Sequence, residues 1–144
     1  MPATTKNLKI PYPTGGDPVR DGPQTFAEAM QLIESYLCPE WKPVTMGPNW
    51  IMIDGYQVEY CKLGDLVVLR GMVRRQSGGL ESNIFSVPDE ARPKNTRFIP
   101  ATVSNDGRPA NLFITTEGRA VIQGYSGAGN GIYNLPISGS YYIN

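Results

Sequence analysis

The sequence predicts a mainly β protein, an antiparallel sandwich or small barrel led by an extended arm and one short helix. Three observations carry this. From Asn49 to Asn144 short apolar segments recur every ten residues or so, separated by turn signals such as Asp54-Gly55, Gly64-Asp65, Asp106-Gly107 and Glu117-Gly118; sandwiches and barrels have that spacing. Strands do not alternate with helices as a parallel sheet requires. Glycine and proline are abundant, 16 and 13 of 144 residues, as many short elements joined by tight turns demand.

Residues 1–23 read as an extended arm. Pro2, Pro11, Pro13, Pro18 and Pro23 block regular helix and sheet, and the Gly15–Pro18 and Asp21–Pro23 stretches are turn signals. Leu8, Ile10 and Tyr12 alternate. With Pro11 and Pro13 they form a candidate docking segment that would lie in a groove of another protein; the other reading is a disordered tail. Residues 24–48 read as a helix and a linker. Thr25 and Glu28 have capping-box spacing. Phe26, Met30, Ile33 and Leu37 follow at intervals of four, three and four, a heptad-like seam, and Pro39 stops the helix. A helix over 25–37 is marginal alone and needs a partner surface, either its own β-domain or copies of itself. Residues 38–48 are a proline-bearing linker.

Residues 49–144 read as the β head. Trp50–Ile53 and Tyr56–Tyr60 flank Asp54-Gly55 as a hairpin. Leu66–Arg75 is the longest strand candidate, and Gly71 in its middle marks a bulge or a close packing point. Asn83–Val87 is a short strand stopped by Pro88. Arg97–Val103 carries Pro100, which fits an edge or a bulge. Ala110–Thr115 and Ala120–Gln123 are further strands. Ile132–Ile137 and Ser140–Ile143 are expected to close the chain as two.

Composition excludes several functions. Thirteen basic and thirteen acidic residues balance, leaving no excess to neutralise phosphates; Arg70, Arg74 and Arg75 are too small a patch, so no nucleic-acid partner is expected. No apolar run is long enough to span a bilayer, so no membrane insertion is expected, and the N-terminus lacks an apolar leader core. The chain has no histidine, which removes the commonest general base and the Ser/His/Asp triad. Cys38 and Cys61 lack a thiolate-activating partner and cannot build a zinc site alone. Cytoplasmic synthesis would favour free thiols over a disulfide between them. No catalytic residue, cofactor or metal is therefore expected. The stretch Gly124–Gly131 lacks the Lys-Ser/Thr tail of a phosphate loop and reads as a β–β connection. Tyr125, Asn130 and Tyr133 are its candidate ligand-facing residues. With Tyr141 and Tyr142 the tyrosines offer aromatic surface for sugars, the other reading being core or interface packing.

Several stretches together resemble a known family: Tyr60–Val73 (YCKLGDLVVLRGMV), Ile84–Pro88 (IFSVP), Arg92-Pro93, Phe98, Asn111–Gly118 (NLFITTEG) and Ile132–Tyr142. Their order is similar to that of the C-terminal β-domain of tailed-bacteriophage tail-fibre, baseplate and receptor-binding proteins, over roughly residues 48–144. Leu8–Gly22 (LKIPYPTGGDPVRDG) resembles the opening of minor tail proteins from phages of actinobacteria. The sequence departs from the family where Val87 replaces the usual Leu, where Glu90-Ala91 replaces Gly-Tyr, and in its shaft, reduced to residues 38–48.

The resemblance implies an antiparallel, jelly-roll-like β-sandwich head and a homotrimer, its helices joined through Phe26, Met30, Ile33 and Leu37. It implies a virion location, with the arm docked on another virion structural protein. Two roles stand open: a tail-tip receptor-binding protein recognising host surface carbohydrate, or a capsid decoration or head-fibre protein.

Overall fold

The computed structural model describes residues 2–6, 8–37, 39–76, 83–104, 107–123 and 134–144. They form two compact units, 1–40 and 41–144.

In the first unit, β1 (Ala3–Thr4) and β2 (Pro11–Tyr12) pair antiparallel. A 3-10 turn covers Val19–Asp21, and α1 runs Gly22–Leu37. The segment 1–23 is therefore not uniformly extended. Its prolines permit a ladder only two strands wide, where Pro11 opposite Thr4 needs no N–H for a further neighbour. Thr5 closes the loop between these strands: its N–H donates to the Ile10 carbonyl at 2.9 Å, and its Oγ1 accepts from the Ile10 N–H at 3.0 Å. Lys9 turns the chain at φ 56°.

The helix starts earlier than the capping-box spacing predicts. Pro23 stands in its first turn, where the missing N–H costs nothing and φ is already helical. Thr25 thus lies inside the helix, and its Oγ1 donates to the Asp21 carbonyl at 2.9 Å. Glu28 instead accepts from Gln24 Nε2 at 3.0 Å, so no capping box forms.

The second unit is a β head with ten strands among its described residues. Its strands are β3 (Lys42–Pro43), β4 (Thr45–Met46), β5 (Trp50–Met52), β6 (Glu59–Leu63), β7 (Leu66–Arg75), β8 (Phe85–Ser86), β9 (Arg97–Thr102), β10 (Pro109–Ile114), β11 (Arg119–Gln123) and β12 (Asn134–Tyr142). One antiparallel sheet runs β12-β7-β6-β3, with β5 sharing the β6 edge of β7; the other runs β4-β8-β11-β10-β9. Residues 42–46, expected as linker, supply one short strand to each sheet.

The two inner faces enclose one core. It holds Trp50, Leu69, Ile84, Phe85, Leu112, Ile114, Ile122, Leu135 and Ile137, all essentially out of solvent. Alternation places them: Ala110, Leu112 and Ile114 point in while Pro109 and Asn111 point out. Burying each larger side chain stabilises the fold by about 1.5–3 kcal/mol. On the outer face the register partners Phe98 and Phe113 meet edge to face at 4.4 Å, a cross-strand aromatic contact that reinforces the β9–β10 pairing.

Three sequence expectations are met or revised here. Pro100 does lie on an end strand, β9; Pro136 lies on the other sheet's end strand, β12, where no neighbour needs its N–H. The Asp54-Gly55 turn forms, with Tyr56 N–H donating to the Ile53 carbonyl at 2.9 Å. Its flanks, however, pair with each other only at Ile53 and Tyr56, and both strands go to β7. The closing segment is one nine-residue strand along β7, not two. Gly139 within it marks a close approach and not a turn: a Cβ there would sit 2.4 Å from Ile99 Cγ2.

A 3-10 turn at Asp89–Ala91, on the path from β8 to β9, is tied back to the first sheet. Tyr60 Oη on β6 donates to Glu90 Oε1 at 2.6 Å, Lys42 Nζ on β3 donates to the same oxygen at 3.0 Å, and Tyr141 Oη on β12 donates to the Ala91 carbonyl at 2.7 Å. The Tyr60 hydrogen bond, and after it Lys42, holds the Glu90 carboxyl below its ordinary value of 4.5. Burial pushes the Tyr141 phenol well up, so it stays a donor. Burial likewise raises the thiol of Cys61, which is free; Cys38 lies outside the described residues.

Because folding depresses the Glu90 value, the stability this tie contributes is complete above 4.5 and is lost as pH falls through the folded value. The melting temperatures of wild type and Glu90→Gln should therefore differ most near about pH 7 and converge toward about pH 3. Glu90 is exposed enough that the gap corresponds to at most about 1 kcal/mol. Calorimetry across that range checks it, and a pH-independent gap counts against the carboxylate as its source.

Candidate functional site

The head's polar cleft arises from a defect in its longest strand. Leu66–Arg70 of β7 pairs with β6, and Val73–Arg75 pairs with β5 on the same edge. Residues 53–58 connect those two strands and must bulge away between them. Gly71 faces this excursion at φ 129°, a conformation L side chains rarely adopt; a Cβ there would come within 2.4 Å of the Gln57 carbonyl oxygen. The bulge is pinned by two backbone bonds, Met72 N–H to the Tyr56 carbonyl at 2.9 Å and Ile53 N–H to the Met72 carbonyl at 3.4 Å.

The result is an open cleft of about 450 Å³ lined by Gly55, Tyr56, Gln57, Glu59, Arg70 and Gly71. Tyr56 stands on its lip, 58% exposed. Arg70 and Glu59 are register partners across β7 and β6. Arg70 donates from Nε at 3.0 Å and from Nη2 at 2.7 Å, both to Glu59 Oε2. The guanidinium also lies over the Trp41 ring, 3.9 Å from its centroid, a cation–π contact worth about 0.5–1 kcal/mol at an exposed position. Trp41 and Glu59 thus fix Arg70 from two sides.

Chemically the cleft offers an aromatic side chain, a carboxylate with one oxygen engaged, a guanidinium with further donors and a carboxamide. It can bind and orient a polar ligand. Among the described residues no group of three His, Cys, Asp or Glu could hold a metal, and no helix is long and apolar enough to cross a membrane.

The residues singled out from the sequence lie elsewhere. Phe26, Met30 and Leu37 are exposed along α1, at 67%, 48% and 75%, and Ile33 is half-buried. Met30, Ile33 and Leu37, with Gln31 and Glu34, border a mostly apolar groove of about 330 Å³. In the docking segment Leu8, Tyr12 and Pro13 are exposed, while Ile10 and Pro11 are half-buried; β2 lies against α1. Tyr125, Asn130 and Tyr133 fall outside the described residues. Tyr141 is buried in the Ala91 tie and offers no sugar surface, whereas Tyr142 is 62% exposed.

Sequence reasoning missed the cleft. It saw Tyr56–Tyr60 as half of a hairpin and Arg70, Arg74 and Arg75 as a weak basic patch. The structure disperses that patch: Arg70 pairs with Glu59, Arg74 Nε donates to Asn134 Oδ1 at 3.0 Å, and Arg75 is buried. The available signal was the conjunction of Asp54-Gly55 with Gly71, a turn and a glycine on strands that meet.

The chain's fold is similar to that in the crystal structure of the receptor-binding protein gp15 of Listeria phage PSA. The TM-score is 0.64 at 15% identity, over 92% of this chain and 89% of that one. At that identity the likeness is one of fold. No protein-family model and no curated protein matches the chain.

Gly71→Ala should destabilise the head by about 1–3 kcal/mol, the cost of forcing a side chain into a left-handed position against fixed backbone. Thermal unfolding measures it; a melting temperature equal to wild type would mean that the excursion is not held as described.

Proposed function

We propose that this chain is a virion appendage of a tailed phage: a homotrimeric tail-tip receptor-binding protein with a jelly-roll-like sandwich head that recognises host surface carbohydrate. The observation that carries the reading is the likeness of fold to a phage receptor-binding protein along nearly the whole of both chains. The reading assigns no catalysis. The first unit attaches and trimerises, and the head presents ligand-binding surface.

The trimer is supported by α1. A helix of 16 residues has little stability of its own, yet it leaves Phe26, Met30 and Leu37 exposed on its seam. Three such seams packed together remove that surface from water. The arm residues Leu8, Ile10, Pro11, Tyr12 and Pro13 dock on another virion structural protein. The likeness of Leu8–Gly22 to openings from phages of actinobacteria supports a host of that kind. Three heads on one axis give avidity to individually weak glycan contacts.

Light scattering on the purified chain should give about 47 kDa, three copies of the 15.8 kDa chain. The double variant Met30→Asp, Leu37→Asp should fall to monomer mass with its β circular dichroism intact. Wild-type protein that stays monomeric at high concentration overturns the helical trimer. Fluorescently labelled wild-type protein should stain susceptible host cells. Immunogold labelling confined to the capsid, with no staining of cells, replaces the tail-tip role with that of a capsid decoration protein.

A further inference from the structure

We propose that the cleft beside Gly71 is a binding site for a neutral pyranose, with Tyr56 as its stacking platform and Glu59, Arg70 and Gln57 as its hydroxyl-recognising groups. This deepens the receptor-binding reading and rests on it for the source of the sugar, a glycan on a cell surface.

The choice of a sugar follows from the mix of groups. A pyranose has an apolar C–H face and a rim of hydroxyls that both donate and accept. Tyr56, over half exposed on the lip, supplies a flat surface for the apolar face and is carried by a turn whose backbone is bonded on both sides. Glu59 accepts both Arg70 hydrogen bonds on Oε2, and no described residue bonds its Oε1, so that oxygen is open to a hydroxyl donor. Arg70 keeps further N–H donors for hydroxyl oxygens, because only two of its five are engaged by Glu59. Gln57 lines the same cleft and adds one donor and one acceptor group. A few placed polar groups beside an aromatic wall is the usual construction of a small-ligand site.

The choice of a neutral sugar follows from charge. Among the described residues that line the cleft, the one cation, Arg70, is paired with the one carboxylate, Glu59, at 2.7 Å. The site is therefore neutral overall, and an anionic sugar would have to displace Glu59 or sit beside its carboxylate. The net charge of the whole chain is zero as well, so no long-range field draws in a polyanion. Trp41 is a positioning residue and not a platform, since Arg70 covers one face of its ring.

Preorganisation is built into the backbone. Arg70 is held by Trp41 and Glu59, and Gly71 lets the 53–58 excursion approach β7 closely enough to bring Tyr56 and Gln57 beside them. Little ordering cost remains to be met on binding. The cleft is nonetheless open, so one sugar in it binds weakly, with a dissociation constant of about 1 mM.

The test is a protein-observed NMR titration of the full-length chain with methyl glycosides of glucose, galactose, mannose, rhamnose and N-acetylglucosamine. Glucuronic and sialic acids serve as anionic counterparts. At least one neutral glycoside, at up to about 20 mM, should shift the signals of Gly55, Tyr56, Gln57, Glu59 and Gly71 together and saturably. Tyr56→Ala and Glu59→Gln should each weaken it at least about tenfold, while Tyr142→Ala, which removes an exposed tyrosine elsewhere on the head, should leave it unchanged.

The proposal is overturned if no neutral glycoside shifts these signals, if the acidic sugars bind better, or if Tyr56→Ala binds like wild type. Cell staining separates its failure from that of the broader reading. Wild type and Tyr56→Ala staining host cells equally would leave receptor binding standing and remove the cleft from it. A saturable, Tyr56-dependent sugar response without cell staining would establish the site and remove its proposed source.

Discussion

The head depends on β7. Along one edge it pairs with β12 from Leu66 to Arg74, and along the other it serves β6 and β5 in turn. Among the described strands of the head no other has three partners, and the pairings on either side of Gly71 coexist because residues 53–58 bulge between them. Gly71 accommodates that bulge with a positive φ and an absent side chain. The strand that holds the first sheet together therefore also creates the irregularity on its surface. An excursion beside a fixed arginine is how this sheet acquires a cleft.

The second sheet is held against the first by its core and by a small polar tie. Core burial supplies most of the stabilisation, but it is non-directional and does not by itself set how the strands of one sheet meet those of the other. The Asp89–Ala91 turn adds direction, because Tyr60, Lys42 and Tyr141 reach it from three strands of the first sheet. Both tyrosines are largely buried yet each phenol has a partner, which is the condition under which buried hydroxyls cost little. At the neighbouring edge the approach of β9 to β12 leaves room only for glycine at position 139. Directional bonds and a steric minimum thus fix a relation that hydrophobic contact alone leaves loose.

The chain's surfaces sort by chemistry. The helix presents an apolar seam bordered by Gln31 and Glu34, suited to burial against another apolar surface. The cleft presents paired charges and an aromatic rim in a net-neutral patch, suited to a hydroxylated ligand. These are different physical demands, and they sit on different units of the chain.

Much of the architecture was legible because it is encoded locally. Turn positions at Gly64-Asp65 and Glu117-Gly118, alternation along β10, the edge placement of Pro100 and the special status of Gly71 each follow from the dihedral freedom or hydrogen-bonding capacity of one or two residues. The helix start was misread because Thr25 and Glu28 offered one local signal and Pro23 another, and the proline in the first turn prevailed. Strand partnership beyond neighbours joined by a tight turn was not legible. Even across the Asp54-Gly55 turn, whether Trp50–Met52 pairs with Tyr56–Tyr60 or with Val73–Arg75 depends on which edge is free once the whole sheet has assembled, and alternation looks the same in either case. By itself, then, the sequence determined a mainly β chain with one amphipathic helix, because strand period, turn chemistry and helical spacing are properties of neighbouring residues. Only the tertiary structure decided where a cleft would open and which side chains would line it, because Trp41, Tyr56, Glu59 and Arg70 become neighbours solely through the pairing of strands distant along the chain.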